Sequence, residues 1–342
     1  MNGTTPLAAG GIAFALCAAA TAVLRHLALR WELFDRPGGH KSHRRPTPYL
    51  GGIAIALSTL VPPLVLAGPA LKPVAGVLVG AVAMALLGLI DDLIPLPPPT
   101  RLAVQGLAAG VAVMSGIVAP LTGSVLDVPI TALWIVVVTN SFNFLDNMDG
   151  ALGGVTVAAA AFLAAGAFVS GRPAIGLVLA ALSPAALGFL LHNWAPARIF
   201  MGDAGSLFIG FVLASSAALL VTGSGTVTAA AGLLLPTFVA TVDTGVVLLA
   251  RRRAGRPLLQ GGSDHLSHRL HRLGLGKRLT ALALATLAAA AGVLDLAMTL
   301  GWVPAFGAVT GAAATAVAAV ILAQRVRVYP AKRPTTSIRV RR

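Results

Sequence analysis

Eleven long apolar runs, separated by short polar segments, occupy most of the 342-residue chain. An α-helix needs about 20 apolar residues to cross a bilayer, and within the bilayer the backbone must satisfy its own hydrogen bonds. The sequence therefore predicts an all-α, polytopic membrane protein with about 11 transmembrane helices. The runs lie at residues 6–24, 49–68, 74–90, 101–118, 130–145, 152–169, 173–191, 206–222, 227–250, 279–299 and 303–323.

The composition excludes a soluble enzyme. Only 11% of the residues are charged, against roughly 25% in ordinary globular chains, and the mean hydropathy is +0.87. In a soluble protein the net charge of +14 would suggest nucleic-acid binding. In so apolar a chain the positive charge instead reports topology, and we expect no nucleic-acid partner.

The basic residues sort onto one side of the predicted membrane. Of the 25 Lys and Arg residues, 23 fall in alternate loops and the C-terminal tail, and Lys72 and Arg172 fall on the other side. Positive-inside bias therefore predicts an external amino terminus and a cytoplasmic carboxyl terminus in the plasma membrane. We expect one transmembrane domain, residues 1–323, and a basic tail without fixed structure, residues 324–342, held by anionic membrane lipids. The predicted cytoplasmic loops are residues 25–48, 91–101, 140–151, 192–205 and 250–278.

Histidines and acids gather on the same side as the basic residues. All seven histidines and eight of the eleven acids lie there, although positive-inside bias predicts nothing about either residue type. We therefore expect a polar site assembled from several helix ends at the cytoplasmic surface. The alternative is that polar residues avoid lipid and accumulate in the longer loops.

Paired carboxylates end the third run, at Asp91 and Asp92. Adjacent carboxylates repel each other unless a cation or a hydrogen-bond donor lies between them. The pair is therefore a candidate metal site or general base. Alternatively, it is a simple helix stop before the Pro-rich turn at residues 95–99.

A row of polar residues ends the fifth run. Asn140, Asn143 and Asp146 are spaced by three residues and so share a helix face, with Asp149 one turn beyond. Such a row is costly in a membrane helix unless it faces a wet cavity. Hydrogen bonding between helices explains a single Asn but not four polar groups in register.

Two further segments favour phosphate chemistry. Glycines flank Asp203 just before the eighth run, a geometry that lets the backbone approach an anion. Asp203 could hold a divalent ion, since Mg²⁺ prefers hard oxygen ligands, or it could simply cap the helix. His265 and His268, three residues apart and beside Arg269, can bind phosphate or ribose or act as acid or base.

Together these segments resemble the polyprenyl-phosphate N-acetylhexosamine-1-phosphate transferases of glycosyltransferase family 4. The resemblance runs from about Phe34 to Leu270, and its most specific part is PARIFMGDAGS at residues 196–206. Residues 34–52 look like the family's first cytoplasmic loop, Asp91 and Asp92 like its paired aspartates, and residues 140–150 like its Asn-rich motif. The chain looks most like the branch that transfers N-acetylglucosamine 1-phosphate to undecaprenyl or decaprenyl phosphate.

The resemblance implies transfer of a sugar 1-phosphate from a UDP-N-acetylhexosamine, in the first place UDP-N-acetylglucosamine, to polyprenyl phosphate. The reaction would release UMP, start cell-wall or surface-glycan synthesis and need Mg²⁺, with Mn²⁺ as an alternative. Direct in-line attack needs only positioning and charge neutralisation, so we favour it over an aspartyl-phosphate intermediate. The resemblance also allows a homodimer.

The resemblance further implies roles for individual side chains. Asp203 would bind the metal, with Asp91, Asp92 and Asn143 as further candidate ligands, and one of the paired aspartates would act as base. The implied catalytic residues are Asp91, Asp92, Asp203, His265 and His268. The implied substrate-binding residues are Lys41, Asn140, Asn143, Asp146, Asp149, Asn193, Phe200, Ser206 and Arg269, with Phe200 stacking on uracil.

Two positions depart from the family pattern. Asn147 stands where the family usually has Gly, and Ser267 replaces the middle His of the usual H-x-H-H-R motif. Any mechanism that needs three imidazoles is therefore in doubt. Asp243, inside the ninth run, is an intramembrane acid to which the sequence gives no role beyond packing or cavity lining.

Two other functions stay open. A phospho-N-acetylmuramoyl-pentapeptide transferase would belong to the same family. A secondary transporter would also have many helices and intramembrane acids, but its ionisable residues would cluster near the midplane rather than at one face.

Overall fold

A helix forms at each apolar run, which confirms the all-α class of a polytopic membrane protein. The structure is a computed structural model that describes residues 3–35, 46–258 and 262–329. A 3₁₀ turn, Gly68–Val74, joins the second helix to the third. The helices are α1 Thr5–Arg30, α2 Gly51–Ala67, α3 Ala75–Leu93, α4 Pro98–Met114, α5 Asp127–Leu145, α6 Ala151–Val169, α7 Pro173–Asn193, α8 Gly202–Val221, α9 Thr226–Leu234, α10 Phe238–Ala254, α11 Leu266–Arg272, α12 Lys277–Thr299 and α13 Ala305–Arg325.

The ninth apolar run does not form the single helix that the sequence predicts over residues 227–250. It forms α9 and α10, which are bent by 78° relative to each other. The bend lies at Pro236, because proline has no backbone N–H and disfavours helical geometry in the residue before it. Helix α11 is a further addition, since it lies in a segment expected to be a loop.

A test of helix length and hydropathy gives fewer membrane crossings than the eleven that the sequence predicts. Within the described ranges, eight helical segments are long and apolar enough to cross a membrane, and nine if α9 and α10 count as one span. One of these segments, Gly51–Leu93, takes in both α2 and α3, whereas α4 has only 17 residues. Eleven spans and the orientation of the chain therefore stay predictions.

A short pair of antiparallel strands adds to the predicted all-α architecture. β1, Phe34–Asp35, pairs with β2, Thr47–Pro48, so that Phe34 lies opposite Pro48. The backbone N–H of Phe200 donates to the carbonyl of Pro48, and the carbonyl of Phe200 accepts from Gly51. Strands of two residues leave the fold class unchanged, but they tie the first loop to the segment before α8.

Helix α8 lies at the centre of the bundle. It packs against α2, α3, α5 and α9, and 94% of its most apolar stretch is buried inside the protein. Small residues let the helix backbones approach closely. A Cβ atom on Gly88 of α3 would lie 2.2 Å from the carbonyl oxygen of Asp203. The end of α3, with Asp91 and Asp92, therefore lies against the beginning of α8.

Candidate active site

The carboxylate of Asp92 caps helix α8. Its two oxygens accept hydrogen bonds from the backbone amides of Asp203, at 2.8 Å, and Ala204, at 3.1 Å. The first amides of a helix have no partner within it and carry partial positive charge, so a carboxylate is stabilised there. Gly202 makes room for this contact: its φ is +68°, and a Cβ atom would lie 2.4 Å from Oδ2 of Asp92. The cap is therefore Asp92, and Asp203 is left for other contacts.

Arg101 links the other member of the aspartate pair to Asp203. From α4, its guanidinium nitrogens lie 2.8 Å from Oδ2 of Asp91 and 3.2 Å from Oδ2 of Asp203. The second oxygen of Asp91 accepts the backbone N–H of Leu96 at 2.7 Å, which fixes the turn after α3. One planar guanidinium thus holds together two carboxylates that would otherwise repel each other.

Asn143 orients Asp203 from the side of α5. Its Nδ2 atom lies 2.8 Å from Oδ1 of Asp203 and 2.8 Å from Oγ of Ser206. Ser206 follows Asp203 by one helical turn, so a single amide group binds the same face of α8 twice. The structure thus brings Asn143, Asp203 and Ser206 together.

Asp146, directly after α5, completes a group of four acids with Asp91, Asp92 and Asp203, which we call the carboxylate cluster. In the described part of the chain, its carboxylate has no hydrogen bond or ion pair. Burial raises its pKa to about 8, and the negative charges of Asp203, Asp92 and Asp149 add to this effect. Asp146 is the member of the cluster whose oxygens are not already bound.

Two asparagines predicted to bind substrate are engaged within the protein. Nδ2 of Asn140 donates to Oε1 of Gln105 in α4 at 2.6 Å. Asn193 is buried, and it accepts the backbone N–H of Gly150 and donates to the carbonyl of Ile199, both at 2.9 Å. These side chains fix the positions of α4, α5 and the segment before α8.

Asp149 is also engaged by neighbouring residues. Its Oδ2 atom lies 3.1 Å from Nζ of Lys277, the first residue of α12, and accepts the backbone N–H of Ala197 at 3.3 Å. Only 7% of the Asp149 side chain is exposed. Asp149 therefore ties the beginning of α12 to the loop that contains Ala197, and its contact with substrate stays a prediction.

The two histidines of the predicted site stand at the beginning of α11. Nδ1 of His265 lies 2.7 Å from Oδ2 of Asp243, and the ring centres of His265 and His268 are 5.8 Å apart. Burial lowers the pKa of His268 to about 4, and the neighbouring His265 contributes to the shift. His268 is therefore neutral at pH 7 and can accept a proton or a hydrogen bond.

The two departures from the family pattern contact each other. The hydroxyl of Ser267 donates a hydrogen bond to Oδ1 of Asn147, whose Nδ2 donates to the carbonyl of Phe144 at 2.8 Å. This pair joins α11 to the segment that carries Asp146. The histidines and the carboxylate cluster are thus parts of one connected site.

Three remaining predictions have different outcomes. Arg269 is 2% exposed, and its guanidinium donates to backbone carbonyls, among them that of Val326 at 2.8 Å. These bonds engage Nε and Nη1 inside the protein, and the substrate contact stays a prediction. Phe200 is half-buried beside β2, and its stacking on uracil stays a prediction. Lys41 lies outside the described residues.

Several site residues escaped the sequence reasoning. Arg101 and Lys277 entered only the count of basic residues. The Pro-rich turn reverses the chain between Asp91 and Arg101, and this is the signal that could have paired them. Gln105 and Lys277 offered no comparable signal, since their partners lie far away in sequence.

The donor set of the carboxylate cluster fits a divalent cation. Carboxylate and amide oxygens are the ligands that Mg²⁺ and Mn²⁺ prefer. Among the residues that the structure describes, no three His, Cys, Asp or Glu side chains already surround one metal position. Arg101, Asn143 and backbone amides engage oxygens of Asp91, Asp92 and Asp203 instead. Arg101 pairs with only two of the four acids of the cluster, so a divalent cation would favour the ionised forms of the others.

Comparison with known proteins agrees with the motifs. Residues 74–221, which include the carboxylate cluster, match the model of glycosyl transferase family 4. A putative glycosyltransferase of Streptomyces coelicolor is 41% identical over 92% of this chain and 75% of its own length. A probable undecaprenyl-phosphate N-acetylglucosaminyl 1-phosphate transferase of Bacillus subtilis is 29% identical over 77% of this chain and 76% of its own. Decaprenyl-phosphate N-acetylglucosaminephosphotransferase of Mycobacterium tuberculosis is 32% identical over 77% and 75%. The resemblance is confirmed, and the chain belongs to glycosyl transferase family 4.

Proposed function

We propose that the protein transfers a sugar 1-phosphate from a UDP-sugar to polyprenyl phosphate, with N-acetylglucosamine 1-phosphate as the favoured group. The observation that carries the proposal is the meeting of Asp91, Asp92 and Asp203 with Arg101 at the ends of α3, α4 and α8. The names of the Bacillus and Mycobacterium relatives support the choice of sugar and of lipid.

Both substrates are polyanions, so the site must neutralise phosphate charge. Mg²⁺ would be held by Asp203, with the member of the Asp91 and Asp92 pair that does not act as base as a further candidate ligand, and would neutralise charge on the diphosphate. Asn143 keeps Asp203 in position for this task. Arg101 carries the positive charge that can turn from the carboxylates to a phosphate oxygen.

In direct attack, an oxygen of the lipid phosphate forms a bond to the phosphorus that carries the sugar. The bond between that phosphorus and the oxygen of UMP breaks, and UMP leaves with the oxygen. Both oxygens of Asp92 are bound to the amides of α8. Both oxygens of Asp91 are engaged as well, by the backbone N–H of Leu96 and by Arg101. Turning Arg101 to the substrate would free one oxygen of Asp91 to take a proton from the lipid phosphate.

The activity test uses the purified full-length chain in lipid nanodiscs with polyprenyl phosphate and Mg²⁺. UDP-N-acetylglucosamine, other UDP-N-acetylhexosamines and UDP-N-acetylmuramoyl-pentapeptide are supplied in separate reactions, and released UMP is measured. We expect UMP from UDP-N-acetylglucosamine, and its loss on chelation of the metal. UMP from the muramoyl donor alone would assign the other branch of the family, and no UMP from any donor would refute the proposal.

A pair of matched variants tests the role of the cluster. Asp203→Asn removes one carboxylate charge at the candidate metal position and is expected to lower the rate of UMP release at least 100-fold, as removal of a key electrostatic group does. Asp295→Asn makes the same change at a buried acid near the C-terminal end of α12, whereas the beginning of α12 contacts Asp149 through Lys277. This variant is expected to keep most of the activity. Full activity in Asp203→Asn would contradict the proposed site.

We also propose that the site faces the cytoplasm, where a UDP-sugar is available, and that the chain resides in the plasma membrane. The chain has one cysteine, Cys17, so a Cys17→Ala background allows single cysteines to be placed at will. In intact cells, a membrane-impermeant maleimide is expected to label Arg172→Cys but not Arg253→Cys. The reverse labelling pattern would overturn the orientation.

A further inference from the structure

Helix α11 is too short to be stable by itself. It has seven residues, and isolated helices shorter than about 12 residues are marginal in water. The positions of His265 and His268 must therefore come from contacts with the rest of the protein. Besides the bond from Ser267 to Asn147 and the packing against α12, two sets of contacts hold α11, one from α10 and one from the segment at the end of α13.

Asp243 of α10 holds the beginning of α11. It is fully buried, and its Oδ2 atom lies 2.7 Å from Nδ1 of His265. Its Oδ1 atom accepts the backbone N–H of Leu266 at 2.5 Å. Because Nδ1 of His265 is paired with this carboxylate, the Nε2 atom is left to meet a ligand, and the ring cannot turn freely.

Asp264, the residue before His265, is held from two sides. Nε and Nη2 of Arg251 in α10 lie 2.8 Å and 3.0 Å from its carboxylate oxygens. The hydroxyl of Tyr329, which follows α13, donates to Oδ2 of Asp264 at 2.5 Å. The ring of Tyr329 in turn lies 4.2 Å from the guanidinium carbon of Arg256. The chain beyond α13 thus reaches the residue next to His265.

The end of α11 is held by the same part of the chain, residues 323–329, which we call the C-terminal segment. Nη1 of Arg269 donates to the carbonyls of Ala323 and Val326, and Nη1 of Arg272 donates to the carbonyl of Arg327 at 2.7 Å. All three acceptors are backbone carbonyls, so these bonds depend on the course of the segment. The C-terminal segment therefore contacts Asp264, just before α11, and two residues in the second half of α11.

We propose that Asp243 and the C-terminal segment are positioning elements that hold His265 and His268 for sugar 1-phosphate transfer, an inference that rests on the proposed function. Neither element reaches the substrate; each acts through α11. Composition alone assigns the basic chain end to membrane lipid. The C-terminal segment, where this chain end begins, also holds α11 and thereby the two histidines in place.

The test compares two shortened chains. One ends at Tyr329 and keeps the whole C-terminal segment, and the other ends at Arg325 and lacks the acceptors at Val326 and Arg327 and the Tyr329 hydroxyl. Amide hydrogen exchange of residues 264–272 is measured by mass spectrometry, with α8 as internal reference. We expect wild-type exchange and UMP release from the chain ending at Tyr329. The chain ending at Arg325 should exchange at least about tenfold faster in residues 264–272 and lose about tenfold or more in kcat.

Two point variants carry the test if the shorter chain does not fold. Tyr329→Phe removes one hydroxyl and keeps the ring against Arg256, and Asp243→Asn removes the charge that faces His265. Both should speed exchange in residues 264–272 and lower kcat more than they raise KM for the UDP-sugar, while exchange in α8 stays unchanged. A merely structural role would instead change exchange in α8 as well.

The outcomes separate this inference from the proposed function. Wild-type exchange in residues 264–272 of both point variants would overturn the positioning role, whatever their activity. Faster exchange with unchanged kcat would overturn it as well, because the histidines would then not depend on this position. Exchange is measured without substrate, so it still decides the contacts of α11 if no UDP-sugar yields UMP, a result that refutes the proposed function alone.

Discussion

The carboxylate of Asp92 and the backbone amide of Asp203 form a 2.8 Å hydrogen bond that joins the end of α3 to the beginning of α8. We expect Asp92→Asn to lower the free energy of unfolding by about 1–2 kcal/mol, because a helix loses a charged cap. Asp91→Asn should cost less stability, since its amide oxygen can still accept the N–H of Leu96 and Arg101 keeps Asp203 as a partner. Both variants should lose UMP release. Denaturant unfolding of the two proteins in the same detergent measures the difference, and a larger loss for Asp91→Asn would contradict the assignment of the cap.

Close packing at two glycines predicts a second set of effects. Gly202→Ala places a Cβ atom 2.4 Å from Oδ2 of Asp92 at a φ of +68°, and Gly88→Ala places one 2.2 Å from the Asp203 carbonyl. Both should lower the melting temperature by several degrees and lower activity. The clash is the reason for Gly88→Ala, and in Gly202→Ala left-handed geometry adds a cost of about 1–2 kcal/mol. Gly106→Ala is the matched control: nothing lies within 4 Å of its added Cβ. It should stabilise α4 by up to about 1 kcal/mol through helix propensity.

The hydrogen bond between Ser267 and Asn147 predicts coupling between the two positions. Ser267→Ala and Asn147→Ala should each lower kcat/KM, and the double variant should lose less than the sum of the two. The coupling free energy should be about 1 kcal/mol, as for a single hydrogen bond. Asn140→Ala combined with Ser267→Ala is the control, because Asn140 bonds to Gln105 instead, and it should be additive. Additive effects for Ser267 and Asn147 would mean that the bond does not contribute.

The low pKa of His268 predicts an acid-dependent loss of stability. Its pKa is about 4 because of burial and the neighbouring His265 and Arg272, against the opposing charges of Asp243 and Asp264. The unfolded chain binds the proton near pH 6.5, so between pH 6.5 and pH 4 the unfolded state holds more protons than the folded state. Above pH 6.5 His268 is neutral in both states and lowers the stability by nothing. As the pH falls from 6.5 toward 4, the free energy of unfolding decreases.

His268→Gln tests this dependence, since it removes the titrating group. The melting temperature should fall less between pH 7 and pH 5 in His268→Gln than in the wild type. Equal losses in the two proteins would show that His268 does not titrate in this way.

The fold could be predicted from the sequence wherever one physical rule dominates. Apolar runs must be helical in a bilayer, and each run forms a helix. The break of the ninth run at Pro236 was visible in the sequence, but a long apolar run around it favours one span. Helix α11 was missed because it is short and polar, so that its stability comes from contacts that the sequence does not display.

The candidate site could be predicted as a set of residues but not as a set of contacts. The motifs identified Asp91, Asp92, Asn143 and Asp203 as candidates, because several acids and amides at the ends of membrane helices are costly without a function. Which aspartate caps α8 depends on distances of tenths of an ångström between two helices. The partner of Asp243 lies 22 residues away across a polar loop, and no periodicity connects the two.

Helix α8 is almost completely surrounded by other helices, whereas only 11% of the most apolar stretch of α13 is buried. Asp203 begins α8, while α11 and its histidines are tied to the end of α13. The two halves of the candidate site are therefore anchored differently. The aspartates begin a helix in the core of the bundle, and the histidines are tied to a helix at its periphery.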